Sequence, residues 1–116
     1  MKSEQLYAVA SRENAEKRAA LTPEIIDAWR NFSRTVFKAG ALDEKTKQLI
    51  AVAVAHITQC PYCIHGHTEQ AMKKGASKEE IMEAIWVGAE MRAGASYAHA
   101  ALAMDEMEAV EKNNLP

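Results

Sequence analysis

The apolar run from Leu49 to Ile57 does most to decide which fold class this chain can adopt. Its alternating valines and alanines are compatible with a β-strand, but the chain holds no second strand candidate. A lone strand has nothing to pair with, so a helix is the better interpretation. Because the run is apolar on all sides, we expect it to be buried on more than one face. The remaining sequence is rich in helix-favouring residues, which predicts an all-α domain of about six helices that assembles through helix packing.

Start and stop signals divide the chain into helical segments. Thr22 and Pro23 predict the start of a helix that closes at Gly40. The last helix is predicted from about Ala95 to Lys112. Between these two helices, Asp43 and Cys60 are predicted N-caps, and Ser77 with Glu80 forms a predicted capping box. Gly75 and Gly94 are predicted to end helices.

Length and charge exclude several classes of protein. A chain of 116 residues has the common size of one domain. With 14 basic and 16 acidic side chains, it lacks the electrostatic signature of nucleic-acid or membrane binding. The start, Met1 to Gln5, leads into no apolar signal segment, and no apolar run approaches the roughly 18 residues of a membrane-spanning helix. We expect a cytoplasmic protein with neither nucleic acid nor a membrane as partner.

Both cysteines lie in the run Cys60-Pro61-Tyr62-Cys63, and His67 follows four residues after the second one. Each residue of a helix advances by about 100°, so Cys63 and His67 lie about 40° apart on one face. Cys60 falls on the same side, whereas His65 points away. Because the N-terminal end of a helix dipole favours a thiolate, the spacing predicts a reactive patch of two thiols and a base.

This patch holds the three groups that thiol-dependent reduction requires: an acidic thiol, a proton donor and a second thiol that resolves the intermediate. With His67 beside it, Cys63 is the expected attacking thiol and Cys60 the resolving one. The reverse order stays open, because a cysteine at the N-cap is often the more exposed and more acidic of a pair. Tyr62 supplies an aromatic wall with a hydroxyl group.

Other interpretations of the cysteines and histidines have less support. A zinc site built from Cys60, Cys63 and His67 lacks a fourth ligand. Attachment of a c-type haem is excluded, because the residue after the second cysteine is not a histidine. We therefore expect neither a metal nor another cofactor. His56 is interpreted as a hydrogen-bonded core residue and His99 as structural or interfacial.

Three stretches of the sequence, 42–51, 60–67 and 75–81, resemble the carboxymuconolactone decarboxylase and alkylhydroperoxidase D family. The similarity covers roughly Thr22 to Met104, the core of a single domain over residues 1–116. Residues 1–20 then form an N-terminal helical arm and 113–116 a frayed tail. The resemblance implies an alkylhydroperoxidase D-like helical fold, assembly into a homotrimer or homohexamer, and thiol-dependent peroxidase or disulfide reductase activity for the branch with both cysteines. The lactone decarboxylase branch generally lacks that pair.

The chain departs from the family pattern at two positions. The family's proton relay has a glutamate twelve residues before the first cysteine, where this chain has Gln48. An amide can orient His67 by accepting its ring N–H, but it cannot stabilise an imidazolium as a carboxylate would. Tyr62 occupies a position where the family sometimes has a histidine. The resemblance therefore implies a weaker relay in this chain.

The candidate catalytic residues are two thiols, a base, its orienting amide and an aromatic side chain: Cys63, Cys60, His67, Gln48 and Tyr62. The leading hypothesis is an antioxidant enzyme, a thiol-dependent peroxidase that reduces a small hydroperoxide and is itself reduced by a thiol or a partner redox protein. Two alternatives stay open. One is a disulfide reductase of a partner protein, and the other is a non-catalytic oligomeric redox-sensing module, which the missing acid favours.

Overall fold

The computed structural model describes residues 6–114, and every regular element in this range is an α-helix. The prediction of an all-α fold with about six helices is confirmed. Residues 1–5 of the predicted arm and 115–116 of the predicted tail lie outside the described range, and the single domain stays a prediction. The six helices are α1 (Arg12–Leu21), α2 (Pro23–Phe37), α3 (Glu44–Thr58), α4 (Pro61–Lys73), α5 (Lys78–Ala98) and α6 (Ala100–Asn113).

Two compact units divide the chain between Glu44 and Lys45, and the first holds α1 and α2. Residues 6–10 of the predicted helical arm are not helical, because Ser11 caps α1. Its Oγ atom accepts from the Asn14 N–H at 3.1 Å. α2 ends before the predicted stop at Gly40, since Lys38 has an extended backbone with φ −64° and ψ 142°.

The apolar side of α2 is exposed to solvent. Its large side chains recur at three- and four-residue steps, as the sequence pattern predicts. The exposed side chains are Ile25, Trp29, Phe32 and Val36. The rings of Trp29 and Phe32 have centroids 5.7 Å apart.

The second unit has a small core formed between α3, α4 and α5. Val52 and Ala71 are fully shielded from solvent, and Ile81 is nearly so. Leu49 and Ile85 pack against this cluster from its edge. Because one core residue comes from each of the three helices, burial of this cluster holds α4 against the other two.

α3 and α5 run in the same direction, in a register that three contacts define. Each contact joins residues that are 35 positions apart in sequence. At the N-terminal end the Lys45 ammonium binds the Glu80 carboxylate at 2.9 Å. In the middle, a Cβ atom at Gly88 would lie 3.1 Å from the Ala53 carbonyl oxygen. At the C-terminal end an arginine of α5 reaches the carbonyl of Ile57.

Two expectations about these helices are wrong for the single chain. α3 is buried on one face only, since Ile50 and Val54 on its other side are about half exposed. α5 is not broken at Gly94 but continues to Ala98. A glycine costs a helix only about 1 kcal/mol relative to alanine, and the alanines around this one favour continuation. The break falls at His99, which ends α5 and begins α6.

No residue of α6 is buried in the chain. Within residues 6–114, no helix is long and apolar enough to cross a bilayer. The apolar side chains of α6 are nevertheless widely exposed, which leaves a face that this chain does not cover. The largest of them are Leu102, Met104, Met107 and Val110.

Candidate redox site

The turn between α3 and α4 fixes the position of the first cysteine. α3 ends at Thr58, and Gln59 adopts a left-handed backbone with φ 58°. The Cys60 N–H then donates to the Ala55 carbonyl at 3.2 Å. This bond, which spans five residues across a left-handed position, is the Schellman pattern of helix termination.

α4 ends with the same pattern but with a different residue at its left-handed position. The Ala76 N–H donates to the Ala71 carbonyl at 2.9 Å, and Gly75 lies between them with φ 93°. Glycine adopts this conformation without steric cost, whereas a residue with a side chain pays roughly 1–2 kcal/mol. Gln59 therefore holds backbone strain directly beside Cys60, and such strain tends to occur at functional sites.

Cys60 is the N-cap of α4, as predicted. It has an extended backbone with φ −102° and ψ 105°, and Pro61 follows it as the first helical residue. Its Sγ atom accepts a hydrogen bond from the Cys63 N–H at 3.3 Å. The cap position thus places a sulfur atom at the N–H groups of the first turn, where the helix dipole favours an anion.

Hydrogen bonding makes the two thiols unequal in acidity. The Cys63 thiol donates to the Cys60 sulfur, and the backbone N–H groups of Cys63 and Tyr62 add to that bond, so the pKa of Cys60 lies below its ordinary value. The same thiol–thiol bond, together with desolvation, raises the pKa of Cys63. Both residues are half-buried. Acidity therefore favours Cys60 as the thiolate, whereas the position of His67 beside Cys63 predicts that Cys63 attacks first.

His67 is oriented by a side chain of another helix. Its Nδ1 atom lies 2.8 Å from the Gln48 Oε1 atom, and Gln48 is only 6% exposed on α3. A carbonyl oxygen can only accept, so the ring donates through Nδ1–H and the neutral tautomer carries its basic lone pair on Nε2. Desolvation lowers the pKa of His67. The ring is therefore neutral at pH 7 and suited to accept a proton.

Other residues singled out in the sequence lie on α3 and α4. Tyr62 is in the first turn of α4 with 44% of its surface exposed, and it contributes its backbone N–H to the Cys60 sulfur. His65 is exposed. His56 donates from Nδ1 to the Val52 carbonyl at 2.8 Å, so the predicted hydrogen bond is present, but the residue is half-buried and not part of the core.

One polar contact at the end of α3 has no counterpart in the sequence predictions. The Arg92 Nη1 atom donates to the Ile57 carbonyl at 2.9 Å. Ile57 lies in the last turn of α3, immediately before the residues that lead into Cys60. No local pattern marks Arg92, because its contact depends on the register between two helices that are distant in sequence.

Among residues 6–114, no three histidine, cysteine, aspartate or glutamate side chains are placed to hold a metal ion. The site consists of two thiols of different acidity, a neutral imidazole and a buried amide. These groups can form and break a disulfide and can move a proton during that step.

Comparison with known proteins shows which family the chain belongs to. The sequence profile of the carboxymuconolactone decarboxylase family matches residues 23–106, which include all six helices except α1 and the end of α6. The chain belongs to the carboxymuconolactone decarboxylase family. The family name describes only one of its reactions, and its members include both decarboxylases and alkylhydroperoxidase-like enzymes.

Similar proteins match most of the chain. A Paracoccus denitrificans protein, uncharacterized protein 4 in cox locus, is 60% identical over 87 residues, covering 75% of this chain and 78% of its own length. The crystal structure of a carboxymuconolactone decarboxylase family protein from Legionella pneumophila is 35% identical, with a TM-score of 0.66 over 83% of this chain and 86% of its own. A family member from Thermotoga maritima, for which a part in the antioxidative response is suggested, is 28% identical, with a TM-score of 0.55 over 77% of this chain and 95% of its own.

Proposed function

We propose that the protein is a thiol-dependent peroxidase with an antioxidant role, in which Cys60 and Cys63 form the redox centre. The observation that carries the proposal is the cap of α4, where the Cys60 sulfur accepts from the Cys63 N–H at 3.3 Å. A sulfur in this position is stabilised as a thiolate, the form of cysteine that attacks peroxides. The role suggested for the Thermotoga maritima relative agrees with this reaction.

In the first step, the Cys60 thiolate attacks the terminal oxygen of a small hydroperoxide, the oxygen that carries the hydrogen. A sulfur–oxygen bond forms, the oxygen–oxygen bond breaks, and the released alkoxide takes a proton from solvent to give an alcohol. Cys60 is thereby oxidised to a sulfenic acid. This order of attack follows from the lowered pKa of Cys60.

In the second step, Cys63 resolves the sulfenic acid. His67 accepts the proton of the Cys63 thiol, and the resulting thiolate attacks the Cys60 sulfur. A disulfide forms and hydroxide leaves, taking the proton from the imidazolium to become water. Gln48 holds the ring in the tautomer that can accept this proton. A dithiol or a partner redox protein then reduces the disulfide, which requires a reducing compartment such as the cytoplasm.

Peroxide consumption in the presence of a dithiol reductant tests this function. We expect turnover by the wild type and its loss in Cys60→Ser and Cys63→Ser, while His65→Gln, an exposed histidine on the same helix, retains turnover. Trapping of a sulfenic acid in each single-cysteine variant then identifies the attacking residue. Equal consumption by the wild type and both cysteine variants would contradict the proposal.

A disulfide reductase acting on a partner protein is the second candidate. The incomplete burial of Cys60 supports it, because a partner's disulfide must reach the attacking thiol. In this case Cys63→Ser would accumulate a mixed disulfide with the partner while the wild type consumes no peroxide. A redox-sensing module without turnover would form the intramolecular disulfide in stoichiometric amounts and stop there.

We further propose that the protein assembles as a homotrimer or homohexamer. The exposed apolar side chains of α6 support self-association, because a second copy would remove them from water. Replacing Met107 by Lys on this face should shift the oligomer to smaller species in light scattering. The matched control is Glu108→Lys, which changes a charged residue of the same helix. An unchanged mass in both variants would exclude α6 as the contact.

A further inference from the structure

The end of α3 and the start of α4 meet at Cys60, and their dipoles have opposite effects on it. The first turn of α4 favours a thiolate, whereas the last carbonyl groups of α3 carry partial negative charge and disfavour one. These carbonyls also need hydrogen-bond donors, because no further turn of helix follows them. The partners that they have therefore bear on the reactivity of Cys60.

Donors from two different parts of the chain satisfy these carbonyls. The Ala55 carbonyl accepts from the Cys60 N–H at 3.2 Å and from the Thr58 hydroxyl at 3.2 Å. The Ile57 carbonyl accepts from the Arg92 Nη1 atom at 2.9 Å. The donors to Ala55 lie within the turn itself, whereas Arg92 reaches the turn from α5. It also brings a full positive charge to the negative end of α3.

Packing between α3 and α5 makes this reach possible. Gly88 lies one turn before Arg92 on α5, and its lack of a side chain lets the helix approach the Ala53 carbonyl closely. Ala53 likewise lies one turn before Ile57 on α3. The close approach of the two helices at Gly88 and Ala53 thus brings the Arg92 guanidinium to the Ile57 carbonyl, one turn further along each helix.

We propose that Arg92 is a positioning residue for the Cys60 thiol, and that its guanidinium holds the Ile57 carbonyl and so the strained turn that presents Cys60 at the start of α4. The left-handed Gln59 within this turn needs such support from its surroundings, because its conformation is unfavourable on its own. The same guanidinium offsets the partial negative charge of the carbonyls at the end of α3, the helix that leads into Cys60. This inference rests on the proposed function, since it concerns the same redox centre.

The test measures how the alkylation rate of Cys60 depends on pH. All variants carry Cys63→Ser, which keeps a hydrogen-bond donor beside Cys60 and leaves it as the one cysteine of the chain. Arg92→Met removes the donor and the charge, whereas Arg92→Lys keeps a charge and a donor. Arg30→Met, at an exposed arginine of α2, is the matched control. His56, the basic residue in the last turn of α3, is the same in every variant.

We expect Arg92→Met to move the alkylation midpoint to higher pH and to slow alkylation at pH 7 by about two- to fivefold. Arg92→Lys should recover most of the rate, and Arg30→Met should match the background variant. Helical circular dichroism verifies that each variant is folded. A midpoint in Arg92→Met equal to that in Arg30→Met would overturn the proposal, as would an Arg92→Lys variant that alkylates as slowly as Arg92→Met.

Peroxide turnover of the full wild-type site separates this inference from the proposed function. If the wild type turns over peroxide and Arg92→Met alters neither the alkylation midpoint nor turnover, the positioning role alone is excluded. If the wild type consumes no peroxide while Arg92→Met still shifts the midpoint, the peroxidase fails and the positioning of Cys60 stands.

Discussion

The Gln48 Oε1 atom lies 2.8 Å from the His67 Nδ1 atom, although 19 residues separate the two along the chain. Gln48 belongs to α3 and is buried, whereas His67 belongs to the helix that Cys60 caps. The amide therefore sets the tautomer of the imidazole from outside the cysteine helix. Because an amide is uncharged, it stabilises the protonated ring less than a carboxylate at the same position would.

Restoring a carboxylate in Gln48→Glu should raise the pKa of His67, because a carboxylate stabilises the imidazolium. NMR titration of the His67 ring measures this directly. For a peroxidase limited by its proton relay, peroxide turnover should rise on the order of tenfold. The control is Gln70→Glu, elsewhere on α4. A raised pKa of His67 without any gain in turnover would favour the non-catalytic sensor.

Removing the acceptor in Gln48→Leu should cost about 1–3 kcal/mol of unfolding free energy, since the ring N–H is left without its partner. His67→Phe should cost a similar amount by leaving the buried amide unsatisfied. The double variant should lose less than the sum of the two, and urea denaturation measures this coupling. Fully additive losses would mean that the contact does not contribute to stability.

Adding a methyl group in Gly88→Ala should destabilise the second unit by about 1–3 kcal/mol, through overpacking against α3. The new Cβ would lie 3.1 Å from the Ala53 carbonyl oxygen, a backbone atom that cannot move alone. Gly94→Ala is the matched control, because its Cβ would meet only the flexible Glu90 carboxylate at 3.4 Å. It should gain about 0.5–1 kcal/mol from helix propensity. Equal changes in the free energy of unfolding for Gly88→Ala and Gly94→Ala, measured by urea denaturation, would show that α5 does not approach α3 so closely.

Stability should fall as the pH decreases below about 6.5, the ordinary pKa of a histidine. Desolvation lowers the pKa of His67 in the folded protein, so the unfolded chain binds this proton more readily. The stability that depends on a neutral His67 is complete above pH 6.5. It is lost as the pH falls towards the lowered pKa that His67 has in the folded protein. Urea midpoints between pH 5 and pH 7.5 measure the slope, which should be shallower in His67→Phe. His65→Phe, the matched control at an exposed position, should keep the wild-type slope, and equal slopes in all three proteins would contradict this cause.

Local signals predicted the start of the cysteine helix and its neighbours correctly. The cap at Cys60, the first-turn proline after it and the capping box of Ser77 and Glu80 are all present. Gly75 takes its left-handed position just past the end of α4. Caps depend on residues within about four positions of one another, so the sequence contains all that they require.

Signals that depend on the rest of the fold were less informative. The glycine at position 94 does not stop α5, because a single glycine is a weak breaker when helix-favouring residues surround it. The apolar run of α3 contains no information on which of its faces the chain itself covers. The left-handed Gln59 was not anticipated either, since glutamine carries no preference for that conformation.

By itself, the sequence determined the helical framework and the set of side chains that can perform thiol chemistry on one face of α4. The tertiary structure decided how Gln48 and Arg92 act on the site. The physical reason is distance along the chain. Helix periodicity and capping are local, whereas the contacts of Gln48 and Arg92 cross 19 and 35 residues and exist only because the core and Gly88 set how the helices pack.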